Sequence, residues 1–181
     1  RVVGHDWGAS VAWWLCSTRP AAMEKAAIIN APHPAVWKQA MFADKEQRKK
    51  SRYVKMFRLR GIPEWAMRRK NYAALIEALE ASARDGAFDK AEWEQYRRTW
   101  SEPKALTSMI HWYRALLKKD LSAPVARIDV PVLLIWGEKD EFADMSLAKQ
   151  SIELCERGGT LFFGEGTHWV LREEPKPIND M

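Results

Sequence analysis

The sequence predicts an α/β fold, a parallel sheet interrupted by an inserted helical lid, and three observations carry that prediction. Short apolar runs ending in glycine or proline alternate with stretches of helical periodicity, which is how strands buried on both faces read when helices form their crossovers. The pentapeptide Gly4-His5-Asp6-Trp7-Gly8 stands between the apolar pair Val2-Val3 and the run Ala9 to Leu15, so a strand turns sharply into a helix with an acid at the apex. Between Pro34 and Asp129 the chain becomes rich in charge, tryptophan and 3.6-residue periodicity and poor in strand-like runs. These changes divide it into a core part over 1–33, a helical lid over 34–129 and a second core part over 130–181.

Taken in order, the first strand is Val2-Val3, and the turn after it has the form Gly-x-Ser-x-Gly with aspartate in the serine position. The flanking glycines are expected to permit close packing around a strained apical residue. Lys25 to Asn30 is the second strand, ended by Ala31-Pro32-His33-Pro34, and Val130 to Trp136 is the third, ended by Gly137. A helix over Met145 to Arg157 leads to a fourth strand, Thr160 to Phe163, ended by Gly164-Glu165-Gly166-Thr167. In the lid, helical spacing groups Tyr53 with Met56 and Phe57; Tyr72 with Ile76 and Leu79; Trp93 with Tyr96 and Trp100; and Leu106 with Met109, Ile110, Tyr113 and Leu117. All four tyrosines of the chain fall in this insertion.

An aspartate at such a turn suits one kind of chemistry. A serine alkoxide attacking saturated carbon would leave an ether that water does not cleave, whereas a carboxylate leaves an ester that water can hydrolyse, so Asp6 points to alkyl transfer. Past Gly137 comes Glu138-Lys139-Asp140, and past the last strand comes Thr167-His168-Trp169. Functional groups of open α/β sheets collect at the carboxyl ends of strands, and the chain order nucleophile, acid, histidine selects Asp6, Asp140 and His168. Asp144 is a second candidate for the acid.

Gly4-His5-Asp6-Trp7-Gly8, Gly137-Glu138-Lys139-Asp140 and Gly166-Thr167-His168-Trp169 together resemble the α/β-hydrolase epoxide hydrolases, with the haloalkane and fluoroacetate dehalogenases as near relatives. The resemblance implies that Asp6 forms a covalent alkyl ester, hydrolysed by water that His168, oriented by Asp140, activates. It also implies two lid phenols that protonate the opened epoxide oxygen. Arg52 to Phe57, followed by Gly61 and Pro63, resembles the first lid-tyrosine segment, and His111-Trp112-Tyr113-Arg114 the second, which selects Tyr53 and Tyr113. Halide departure needs no proton, and Val54-Lys55 stands where the fluoroacetate enzymes carry His-Trp, which counts against that substrate. The main-chain N–H of Trp7 would serve an oxyanion hole, and its indole would suit a halide. Epoxide hydrolysis is therefore the favoured reading, ahead of haloalkane dehalogenation and of a catalytically silent binding protein. The family has strands and a His-Gly-x-Pro motif ahead of the elbow and a closing helix at the end, so the chain reads as a C-terminal fragment of such a fold.

The formal charge is +5, with cations concentrated in the lid from Lys45 to Lys70. With no nucleic-acid motif, that charge reads as a solvated helical face, and neither a nucleic acid nor a membrane is expected as partner. The expected partner is a small-molecule epoxide. His5, His33 and His111 read as local hydrogen-bonding residues. Cys16 and Cys155 have no metal or disulfide spacing, so no metal and no cofactor is expected. The absence of a long apolar run and of a cysteine framework makes the cytoplasm the expected compartment.

Overall fold

The computed structural model describes residues 1–116 and 127–180. In chain order the strands are β1 (Val2–His5), β2 (Ala26–Ile29), β3 (Val132–Gly137) and β4 (Gly158–Phe163). The helices are α1 (Trp7–Thr18), α2 (Pro34–Ala43), α3 (Lys45–Lys50), α4 (Tyr53–Met56), α5 (Ile62–Ala81), α6 (Lys90–Ser101), α7 (Ala105–Leu116), α8 (Met145–Ile152), α9 (Val170–Glu173) and α10 (Pro175–Asn179). The chain groups into two compact units, Arg1–Lys50 with Ser122–Met181, and Ser51–Leu121.

In the first unit the strands are all parallel and pair in chain order, β1-β2-β3-β4. The central strands β2 and β3 are covered on both faces, which is why they read as continuous apolar runs. On one face Ile28, Leu134 and Trp136 pack with Ala9, Ala12 and Trp13 of α1 and Ala148 of α8; on the other, Ile29 and Ile135 pack with Val170 of α9. Burying an aliphatic side chain of this size contributes about 1.5–3 kcal/mol. The register pairs His5 with Ile29 and Ile29 with Ile135, so the residues that follow β1 and β2, Asp6 and Asn30, leave the sheet at the same edge as the end of β3.

Two expectations change here. Helices α2 and α3, expected to open the lid, belong to the sheet unit. Val36 and Ala40 of α2 pack on Leu147 of α8, and the fully buried Gln47 of α3 donates its Nε2–H to the Phe142 carbonyl (2.8 Å) while its Oε1 accepts the Asp144 N–H (3.0 Å). Helix α8 ends at Ile152 rather than Arg157, because Cys155 forms a parallel bridge with Ile128 and extended pairing ends the helix.

The second unit is helical. Ile76, Trp93, Trp100 and Leu106 form its core, with Tyr72, Leu79, Phe88 and Tyr96 packed against them. Helix α6 starts on a reciprocal cap, in which Asp89 Oδ1 accepts the Glu92 N–H (2.8 Å) and Glu92 Oε2 accepts the Asp89 N–H (2.9 Å). Helix α5 is broken at Arg69–Tyr72, where Lys70, Asn71 and Tyr72 have φ of 48°, 53° and 63°. Arg114 of α7 grips Glu64 of α5 with both terminal nitrogens (2.7 and 3.2 Å) and donates to the carbonyls of Phe57 (2.9 Å) and Leu59 (2.6 Å). Met56 and Met109, expected on apolar faces, are instead about half exposed; the short α4 and the surface of α7 leave them unburied. Leu117, grouped with the α7 face, lies outside the described residues. Among the described residues no helix is long and apolar enough to cross a membrane.

Candidate active site

The turn after β1 is built on backbone strain at its apex. Asp6 has φ 52° and ψ −121°, a left-handed conformation that is rare away from glycine and is held here because strand and helix fix both ends. A Cβ on Gly4 would lie 2.5 Å from the Gly8 carbonyl oxygen and 2.7 Å from Ala9 Cα, so only glycine lets β1 and α1 approach this closely. Gly8 behaves differently from expectation, since a Cβ there would meet nothing within 4 Å.

Three side chains converge at the strand ends of the first unit. His168 Nδ1 lies 2.8 Å from Asp140 Oδ2, and His168 Nε2 lies 3.6 Å from Asp6 Oδ1. Because a carboxylate only accepts, Nδ1 carries a proton and Nε2 is the ring nitrogen left to exchange one on the Asp6 side. Asp140 and His168 are buried, whereas the Asp6 side chain is 48% exposed, so the acid at the apex is open to a reactant while its partners are not. Asp144 is not the histidine's partner. Its Oδ1 accepts the Ser146 N–H (2.9 Å) as the cap of α8.

The loops carrying these groups are pinned from several directions. Gly137 ends β3 where a Cβ would strike the Thr167 carbonyl and the Gly166 backbone, so its lack of a side chain lets the acid loop and the histidine loop touch. Glu173 accepts from the Thr167 N–H (2.8 Å) and hydroxyl (2.7 Å), and an ion pair joins Lys139 to Glu165. His5 donates its Nε2–H to the His168 carbonyl (2.8 Å), and the rings of Phe142 and Trp169 meet the His168 imidazole edge-on at 4.9 and 5.3 Å.

Electrostatics follow from this arrangement. Burial works against a charged His168, but the Asp140 carboxylate, aided by Asp6, outweighs it and raises the imidazole above its ordinary value. Burial likewise opposes charge on Asp6, and the His168 contact together with the Trp7 main-chain N–H overcomes it, holding the carboxyl below the usual range. Asp140 is lowered despite its burial by His168, Asn30 and the Ala143 N–H.

In the second unit Tyr53 and Tyr113 meet edge to face at 5.8 Å, with the Phe57 ring 5.9 and 4.7 Å away. Tyr72 and Tyr96 lie instead in the tryptophan core. Helical spacing treats all four alike; packing separates them. His33 caps α2 through Nδ1, which accepts the Ala35 N–H at 3.2 Å. His111 lies on the surface of α7. Among the described residues no cluster of His, Cys, Asp or Glu could hold a metal ion.

Three polar residues around the acid have no place in the site that the sequence predicts. Asn30 Nδ2 donates to Asp140 Oδ2 (2.7 Å), Asn30 Oδ1 accepts the Gly137 N–H (2.9 Å), and Lys50 Nζ donates to the Asp140 carbonyl (2.5 Å), beside the bonds of Gln47. The signal available for Asn30 was its place at the end of β2, on the edge that holds Asp6.

A family model described as the alpha/beta hydrolase fold matches residues 2–175. The AB hydrolase superfamily protein YfhM of Bacillus subtilis is 40% identical over 99% of this chain and 63% of its own length. Epoxide hydrolase 2 of Caenorhabditis elegans is 29% identical over 98% of this chain and 52% of its own length. The chain thus spans between about half and two thirds of these relatives. The crystal structure of a Bacillus megaterium epoxide hydrolase with an inhibitor superposes with a TM-score of 0.86 at 25% identity, over 98% of this chain and 66% of that one.

Proposed function

Because the chain belongs to the α/β-hydrolase fold family, we propose that it carries the reacting groups of an epoxide hydrolase, with Asp6 as nucleophile. The observation that supports this reading is a half-exposed aspartate at the strained apex with a buried histidine nitrogen 3.6 Å from its carboxylate. The similarity to proteins named epoxide hydrolases points the same way.

Asp6, held ionised, attacks an epoxide carbon; the C–O bond breaks, and the new ester joins Asp6 to the substrate. The departing oxygen is an alkoxide, which needs a proton, and in this reading the phenol hydroxyls of Tyr53 and Tyr113 supply it. Forming the ester changes His168. While Asp6 is charged, two carboxylates favour a proton on the ring; once Asp6 is a neutral ester, one of those charges is gone, the ring gives up its Nε2 proton to solvent more readily, and the neutral imidazole is free to act as a base. Nε2 then takes a proton from water as it attacks the ester carbonyl, Asp140 stabilises the imidazolium, and the Trp7 N–H stabilises the oxyanion. Collapse expels the diol oxygen, which takes the proton from Nε2 as the vicinal diol leaves, and restores Asp6 with one oxygen from water; the proton released as Asp6 ionises again makes good, through solvent, the one the phenols gave up.

The test is a single turnover in heavy-oxygen water. The label is expected in the Asp6 side chain and absent from the first diol. A labelled first product with an unlabelled Asp6 means that water attacked the epoxide directly, which ends this reading.

A further inference from the structure

We infer that Asn30 is a positioning residue for the ester-hydrolysis step, holding the Asp140 carboxylate charged and in line with His168. The inference deepens the reading above and rests on it for the identity of the step.

Asn30 follows β2 with φ 43° and is 1% exposed. Its main-chain N–H donates to the Ile135 carbonyl (3.0 Å), which fixes the backbone. The left-handed turn sends the side chain toward β3, where both ends of the amide are used. Oδ1 accepts the Gly137 N–H at 2.9 Å, and Nδ2 donates to Asp140 Oδ2 at 2.7 Å. The first bond sets the direction of the amide, because a flipped side chain would face the Gly137 N–H with a donor and the carboxylate with an oxygen. Asp140 Oδ2 therefore has two donors, Asn30 and His168, while Oδ1 has the N–H groups of Phe142 (2.7 Å) and Ala143 (3.0 Å). Three of the four donors are fixed, so the remaining direction on Oδ2 is left for the histidine. Lys50 and Gln47 hold the same loop through its main chain and through Asp144, so loss of the Asn30 amide leaves the loop anchored.

A residue present only for its backbone could be replaced by glycine, which adopts positive φ freely. Asn30→Gly should still form the Asp6 ester but hydrolyse it about ten- to a hundredfold more slowly, the range for losing one hydrogen bond to a charged group, so the adduct accumulates by mass. Asn30→Asp keeps the size and the acceptor for Gly137 but sets a second carboxylate against Asp140, and the pair shares a proton. Its hydrolysis rate relative to wild type should rise as pH falls, when the introduced carboxyl group is protonated and can donate again. Asn30→Gly hydrolysing as fast as wild type, or an Asn30→Asp ratio flat with pH, overturns the inference. His168→Gln separates the two claims: it should trap the ester whatever Asn30 does. If it and wild type form no ester, the proposed function fails, and Asn30 is judged by the low-field proton resonance of His168 Nδ1–H. That resonance should move in Asn30→Gly; an unmoved one counts against the positioning role.

Discussion

The two glycines that flank Asp6 are alike in the motif and unlike in the molecule. Gly4 has no room for a methyl group because the Gly8 carbonyl and Ala9 Cα stand in its place, while Gly8 has open space and lies inside α1. Gly4→Ala should therefore lower stability by about 1–3 kcal/mol or more, as overpacking against backbone does. Gly8→Ala should be neutral or raise stability by up to about 1 kcal/mol, since alanine favours a helix. Denaturant midpoints of the two variants check this, and equal losses would refute it. The same contrast marks what single residues reveal in sequence. Asp6 and His168 were legible because chemistry restricts which residue types suit those strand ends. Asp140 was preferred in the sequence with Asp144 as its rival, which α8 claims as its cap, and Asn30 was invisible because its partners lie across the sheet.

Among the elements, the central strands were the most legible, since burial on both faces leaves an unbroken apolar run. Helical periodicity shows which residues face a partner but not which layer supplies it, so α2 and α3 read as lid although they pack on the sheet unit. Helix α2 also carries a pH dependence of its own. Nδ1 of His33 accepts the Ala35 N–H, its Nε2 faces the Ser17 hydroxyl at 3.3 Å, and burial lowers its pKa to about 4. The unfolded chain binds this proton near 6.5 and the folded one only near 4, so the unfolded state gains protons first. Stability is full above about pH 6.5 and falls between 6.5 and 4, by about 3 kcal/mol in all. His33→Asn keeps a cap acceptor without a titrating ring, and its denaturant stability should fall less over that window; the same slope as wild type would refute the assignment.

At the scale of the whole molecule, the proposed chemistry draws on both units, and the leaving group decides whether the second unit's phenols matter. An alkoxide needs a proton and a halide does not. Tyr113→Phe combined with Tyr53→Phe should slow diol formation from simple epoxides by about a hundredfold or more, with little halide released from chloroalkanes or bromoalkanes by either form. Robust halide release that ignores both substitutions, without epoxide turnover, would move the function to dehalogenation. The sheet itself imposes an order of events. Asp6 and Asn30 sit on the arm made by β1 and β2, while Asp140 and His168 sit on the arm made by β3 and β4, and within the sheet the two arms meet where residues 26–29 pair with 132–135. Each doubling of the chain between them costs only about 0.6 kcal/mol in closure entropy, so the insertion burdens equilibrium stability little. Its weight falls on kinetics, because contacts distant in sequence form slowly. An inserted segment that collapses on its own tryptophan core shortens the span to be closed, and Asp6 meets His168 only when that closure is complete.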